Sequence, residues 1–143
     1  MGYSWLLFAL LSAVAASLVA IFGKIGLQNI DTNTATAIRA VIMAIFLIGV
    51  IVIQGKLSNV APILANHKAL LFIILSGLMG AISWLFYFMA LKGAKVSQIV
   101  PIDRMSVVFA LLLAFFILGE KISWKAGIGA ALVVTGGILI ALG

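Results

Sequence analysis

There is no cysteine in this chain, which removes disulfides, thiolate nucleophiles and thiolate-held metals from consideration. The single histidine, His67, lies in a polar break and cannot build a zinc site by itself. Acids are almost as scarce: Asp31, Asp103 and Glu120 are the 3 carboxylate side chains against 9 Lys and Arg. No nucleophile, base and orienting acid converge anywhere, so the sequence argues against an enzyme and implies no cofactor and no metal. Charged residues make up only 8% of the chain and apolar ones 66%, whereas soluble domains run near one quarter charged and one half apolar. A soluble fold of 143 residues leaves too much of its area in water to hide that excess. The solvent is therefore lipid. The net charge of +6 does not point to nucleic acid, because a nucleic-acid binder gathers its Lys and Arg on one face or arm. Here they stand singly between apolar runs.

Those runs are what the sequence has in abundance. Crossing about 30 Å of hydrocarbon takes roughly 20 apolar helical residues, and five runs qualify, at about 4–22, 33–54, 69–91, 97–118 and 124–142. The breaks "GKIGLQNIDT", "GKLSNVAPILANHK", "KGAK" and "GEKIS" carry the Gly, Asn, Asp and Lys of helix ends. The second of them, with Pro62, has room for a short interfacial turn, and none is long enough for a soluble domain. Sheet edges cannot be satisfied in lipid, and barrel strands would alternate in polarity. The expected fold is an all-α membrane protein, one domain of five transmembrane helices over 1–143. "SAVAAS" is somewhat like a signal-peptidase site, but "MGYSWLL" lacks the basic start of a signal peptide, so the first run reads as a true span. Tyr3, Trp5 and Trp124 suit the headgroup belt.

Five spans put the two ends on opposite sides of the membrane. Loops one and three hold Lys24, Lys92 and Lys95; loops two and four hold Lys56, Lys68, Lys121 and Lys125. Adding Arg39 and Arg104, which lie within spans near the first face, reverses that small difference. So even a balance either carries no orientation signal under the positive-inside rule or marks a chain that inserts both ways up. In the second case the chain can pair antiparallel with itself, supplying the inverted half that many transporters encode internally.

Charges inside spans cost about 2.5–3.5 kcal/mol each at mid-membrane on insertion scales, and usually face a partner or a wet cavity. Lys24, Arg39, Asp103 and Arg104 are the candidates. Because alternate spans reverse direction, all four lie toward one face, with Trp84 and Tyr87 at comparable depth. Neighbours Asp103 and Arg104 point about 100° apart on a helix; Ser106 shares the side of Asp103. Two readings are purely structural: a salt bridge from Asp103 to Arg39 or Lys24, and snorkelling of Arg104 and Lys24 to the headgroups. The functional reading is a polar vestibule whose positive excess attracts an anionic or zwitterionic solute, with Asp103 changing protonation as solute binds. Pro101, lacking an N–H, is expected to loosen the helix just before the charged pair.

Small residues form stripes. Ala9, Ala13, Ala16 and Ala20 do so on the first span, Ser76, Gly80 and Ser83 on the third, and Gly127, Ala131 and Thr135, with Gly136 and Gly137 beyond, on the fifth. Such stripes permit close helix approach in lipid. On the fifth span, internal packing and a dimer interface (Gly127, Ala131, Thr135, Gly136) stand as equal alternatives. Among the consecutive aromatics of the third span, only Trp84 and Tyr87 are expected to line a cavity together.

The stretches "RAVIMAIFLIGVIV", "GAISWLFYFMALKGAKVSQIVPIDRMSVVFALLLAFFILGEK" and "GIGAALVVTGGILIAL" resemble the EamA-type domain of the drug/metabolite transporter superfamily over nearly the whole chain. The most specific piece is the apolar run ending in "LGEKIS" before a Gly/Ala-rich last helix. The resemblance implies transport of metabolites, often amino acids, out of bacteria. Usual members carry two such domains in inverted orientation, whereas this sequence holds one; it is similar to a single-domain subgroup with a "PIDK"-like motif, Arg104 taking the basic position. The small multidrug resistance branch works as antiparallel, dual-topology dimers with an essential Glu in the first helix. The first span here has no acid, which speaks against cationic-drug export and leaves Asp103 as the coupling carboxylate; Glu120 matches the family's "GE" ending, where a structural role is expected.

Together these readings lead to a bacterial inner-membrane transporter, an antiparallel homodimer that moves a small polar or amphipathic metabolite by alternating access, with proton-coupled export. Arg39 and Arg104 attract the solute's negative group, Asp103 couples it to protons, Trp84 and Tyr87 contact its apolar part, and Ser106 completes the lining. Its partners are membrane lipid and a small-molecule substrate. The rivals are a flippase for a lipid-linked phosphate or sugar, and a non-transporting assembly partner.

Overall fold

The computed structural model describes residues 4–143; Tyr3 lies outside the described residues. Among them every regular element is helical: α1 Ser4–Gly26, α2 Thr32–Ile53, a 3₁₀ turn Leu57–Asn59, α3 Val60–Ala65, α4 His67–Gly93, α5 Val96–Asp103, α6 Ser106–Leu118 and α7 Trp124–Leu142. Taking Val96–Leu118 as one interrupted span, five helical stretches are long and apolar enough to cross a membrane. The expected spans match, with the first running four residues past its expected end and the third beginning two residues early. The short turn expected at Pro62 is the 3₁₀ turn followed by α3.

Local chemistry sets the helix ends. Asp31 caps α2, its Oδ2 accepting from the Thr34 backbone N–H at 2.7 Å and the Thr34 hydroxyl at 2.9 Å. Asn66 Oδ1 accepts from Ala69 N–H at 3.1 Å at the start of α4, and Ser123 Oγ accepts from Ala126 N–H at 3.2 Å at the start of α7. Each satisfies an amide that the first turn leaves without a helical acceptor. Gly119 stops α6 in the left-handed region at φ 68°, a conformation free of steric cost only for glycine. Within the spans, hydroxyls turn back on their own helices: Ser17 to Val14 O at 2.7 Å, Thr36 to Thr32 O at 2.8 Å, Thr135 to Ala131 O at 2.8 Å. That habit satisfies the hydroxyl without a neighbouring helix.

The helices gather into two compact units, one of Gly26–Lys92 and the other of the chain up to Ile25 with Gly93–Gly143. In the first, α2 and α4 run antiparallel. Lys92 Nζ donates to Ile30 O at 3.1 Å, and nine residues along one strand of the pair and eight back along the other, Arg39 meets Trp84. In the second, α5 and α7 are antiparallel. Gln98 Nε2 donates to Ala141 O at 3.3 Å, and Gly137 faces the Pro101 carbonyl. Lys24, in the last turn of α1, donates to Ala94 O at 2.8 Å, a carbonyl just before α5. Most large apolar side chains are exposed, Phe46 at 69% and Ile53 at 87% among them. Lipid is their natural cover.

The interruption of the fourth span falls later than expected. Pro101 sits inside α5, and the helical register changes after Asp103, where Met105 N–H bonds Ile102 O at 2.9 Å, Val107 bonds Arg104 O at 3.1 Å and Val108 bonds Met105 O at 3.0 Å. These three-residue bonds tighten the chain into a 3₁₀-like turn. The proline turn itself is held by α7: a Cβ built on Gly137 would lie 3.0 Å from the Pro101 carbonyl oxygen. With that turn pinned, the missing N–H is accommodated one turn further on.

Two predictions follow from this packing and capping. Gly137→Ala forces α5 and α7 apart against a backbone atom that cannot swing aside, and is expected to lower stability in detergent by about 1–3 kcal/mol. Gly136→Ala, whose Cβ meets nothing within 4 Å, is expected to cause no loss; thermal unfolding of the two variants side by side checks the difference. The Asp31 carboxyl is held below its ordinary value, first by the Thr34 backbone N–H and then by the Thr34 hydroxyl. A carboxylate depressed in the fold stabilises above its unfolded pKa, and the contribution disappears as pH falls through the lower, folded value. Acid titration of unfolding should therefore show a component below the usual carboxylate range that Asp31→Asn, which retains a cap acceptor, removes.

Candidate functional site

Arg39 is the eighth residue of α2, about 10 Å from its start at 1.5 Å per residue. Nothing in the sequence around it, "TATAIRAVIMAI", offers a charge partner on its own helix. The partner is an aromatic face: the guanidinium carbon stands 3.6 Å from the centroid of the Trp84 ring on α4, and 5.3 Å from that of Phe88. A cation over indole is attracted by the negative face of the ring, by about 0.5–1 kcal/mol when exposed and 2 or more when dry. Arg39 is half-buried here. Stacking occupies one face of the planar guanidinium and leaves its N–H groups, which lie in the plane, directed elsewhere.

The aromatic wall is built by helical spacing. Trp84 meets Tyr87 edge-on at 5.4 Å and 83°, and Phe88 edge-on at 5.8 Å and 87°. Edge-to-face contacts are the favoured geometry for ring quadrupoles. Phe88 is buried at 4% exposure, so it locks the rotamer of Trp84 from the side. Tyr87 and Phe88 both reach Trp84 because positions three and four apart share a helix face.

Asp103, Arg104 and Ser106 lie in the other unit, at the break between α5 and α6. All three are exposed. Their position bears on why adjacent opposite charges sit in an oily run. Arg104 is the capping residue of α5, where the carbonyl end of the helix dipole favours a cation. Asp103 is the last residue of α5, three before the start of α6; a cation at the carbonyl end contributes about 0.3–1 kcal/mol. The structure thus assembles Arg39, Trp84 and Tyr87 around one contact and Asp103, Arg104 and Ser106 around another. Of the fifth-span stripe, Gly127, Ala131 and Thr135 line a groove against α6, while Gly136 looks into open space. Among the described residues no group of His, Asp or Glu has metal-binding spacing.

The Arg39–Trp84 contact is open to direct measurement. In a double-mutant cycle of Arg39→Met and Trp84→Leu, followed by thermal unfolding in detergent, the coupling energy is expected to be about 0.5–2 kcal/mol. Additive losses would show that the stacking contributes nothing.

Comparison with known proteins follows the same lines. The model of the EamA-like transporter family matches residues 3–142. A Sinorhizobium sp. protein described as an uncharacterized transporter in the cobO 3' region is 34% identical over 142 residues, covering 99% of each chain. No solved structure matches the chain significantly.

Proposed function

Since the chain belongs to the EamA-like transporter family and is a multi-pass membrane protein with five apolar spans, we propose that it moves a small anionic or zwitterionic amphipathic metabolite across the bacterial inner membrane by alternating access, as an antiparallel homodimer exporting its solute against protons. The observation that carries this reading is the guanidinium of Arg39, kept at depth over Trp84 at 3.6 Å. An acid partner would have neutralised that charge. One stacked on indole remains positive, and its in-plane donors match a carboxylate.

In this reading Arg39 draws the negative group of the solute into the membrane, and Trp84 with Tyr87 accepts its apolar part. Asp103 is the proton-coupling carboxylate: it is the acid that lies within a span, since Asp31 caps α2 and Glu120 follows α6. Arg104 and Ser106, flanking the break after Asp103, serve the same step. Broken helices near binding sites are common in transporters because freed backbone groups meet the solute. The family match and the relative described as a transporter favour transport over catalysis.

The test uses purified protein in liposomes carrying a trapped pH dye, with a panel of aliphatic and aromatic carboxylates and amino acids presented one at a time. Wild type is expected to couple proton movement to at least one anionic or zwitterionic solute. Arg39→Gln should lose that response by on the order of tenfold or more, as a missing charge-assisted partner at about 1.5–3 kcal/mol implies, and Asp103→Asn should keep solute exchange while losing the proton signal. A response confined to cationic solutes, or one unaltered in Asp103→Asn, would overturn the assignment.

A further inference from the structure

The groove between α6 and α7 is separate from both contacts described above. It has a volume of about 420 Å³ and is lined by Val108 and Leu112 from α6, by Gly127, Ala131 and Thr135 from α7, and by Ile122 at its loop end. From Gly127 to Thr135 it runs eight residues, about 12 Å at helical rise. The one hydroxyl among these residues, on Thr135, is already bonded to Ala131 O at 2.8 Å. A polar solute would find no partner here, and desolvating it without one is unfavourable. A helix of a second copy, about 10 Å across with its side chains, would enter this open groove by a ridge of side chains alone. A single extended hydrocarbon chain matches the length of the groove and its apolar lining.

The charges at one end say what that chain is attached to. Lys121 immediately precedes the lining residue Ile122, and Lys125 comes two residues before Gly127. Both lysines are exposed, and the Lys125 ammonium stays near the Trp124 ring, 6.0 Å from its centroid. Trp124, 72% exposed at the head of α7, marks the depth of the headgroups, where indole is enriched. The amide end of α7 points to the same place and favours an anion. Glu120 stands in the same loop, so the mouth carries a net charge of +1, two lysines less one glutamate.

We propose that this groove binds one acyl chain of an anionic phospholipid whose phosphate is met by Lys121 and Lys125. The other end, at Val108 and Thr135, lies one turn from the adjacent and opposite charges of Arg104 and Asp103, which sum to zero, so the net positive charge lies at the Lys121–Lys125 end. The inference is independent of the transported solute and survives if that assignment fails.

Native mass spectrometry of the full chain released from detergent, with phosphatidylglycerol and phosphatidylcholine supplied at equal concentration, tests it. Phosphatidylglycerol adducts are expected to dominate, and neutralising the mouth with Lys121→Gln and Lys125→Gln together should cut that preference by on the order of fivefold per lysine, the effect of a basic residue at an anionic lipid surface. Ala131→Leu, which fills the groove, should suppress adducts of both lipids while leaving helical circular dichroism unchanged; if it unfolds, the smaller Ala130→Val should weaken them in the same direction. Equal binding of the two lipids by wild type, adducts undiminished in the folded groove variants, displacement by inorganic phosphate alone, or a wild-type dimer that Ala131→Leu turns into a monomer would each overturn the proposal.

Discussion

A guanidinium within hydrocarbon needs something to stand against, and in this chain it stands against a ring. Arg39 lies over Trp84 at 3.6 Å, with Phe88 behind at 5.3 Å. Much of the unit Gly26–Lys92 can be understood from that requirement. The antiparallel register of α2 and α4 is set at one end by the Lys92–Ile30 bond, and it brings residue 39 level with residue 84. Phe88 and Tyr87 then fix the ring edge-on. Had the partner been a carboxylate, the pair would be neutral and the site silent to a charged guest. A quadrupole holds the cation without cancelling it.

The second unit solves a different problem, how to place charge in a span without a partner helix supplying the opposite sign. Its device is the break. Pro101 removes one donor, Gly137 lets the proline turn sit flush on α7, and the register change then exposes a carbonyl end and an amide end within a few residues. Arg104, the cap of α5, complements the carbonyl end, and Asp103 stands beside it with the opposite charge. A Cβ at position 137 would press on the Pro101 carbonyl, so the polar break depends on an apolar helix contact.

Much of this was legible in the sequence for a simple reason: lipid imposes length. Twenty-residue apolar runs punctuated by Gly, Asn and Lys can be little else than spanning helices, and α2 and α7 came out within a residue of their expected bounds. Helix ends were readable where Gly, Asn, Asp or Lys stood at the boundary, as at Asp31, while the cap at Ser123 was not. What escaped was pairwise. That Lys24 would reach Ala94 O, or that Arg39 would lie over Trp84, depends on which helices touch, and one sequence carries composition and period but no partner list. The break at Arg104 and Met105 escaped for a related reason, since a proline marks a weakened turn but neighbouring packing decides where the weakness is expressed.

The central claim is that the positive charge at Arg39 faces a space that water and anions enter. Because the chain has no cysteine, a single one introduced at Met43, one turn deeper on the same face of α2, reports on that space alone. In sealed vesicles its rate of modification should be greater with an anionic, membrane-impermeant thiosulfonate than with a cationic one of similar size, and the preference should vanish when Arg39 is replaced by Gln. No modification by either reagent, or equal rates with Arg39 present, would contradict the account.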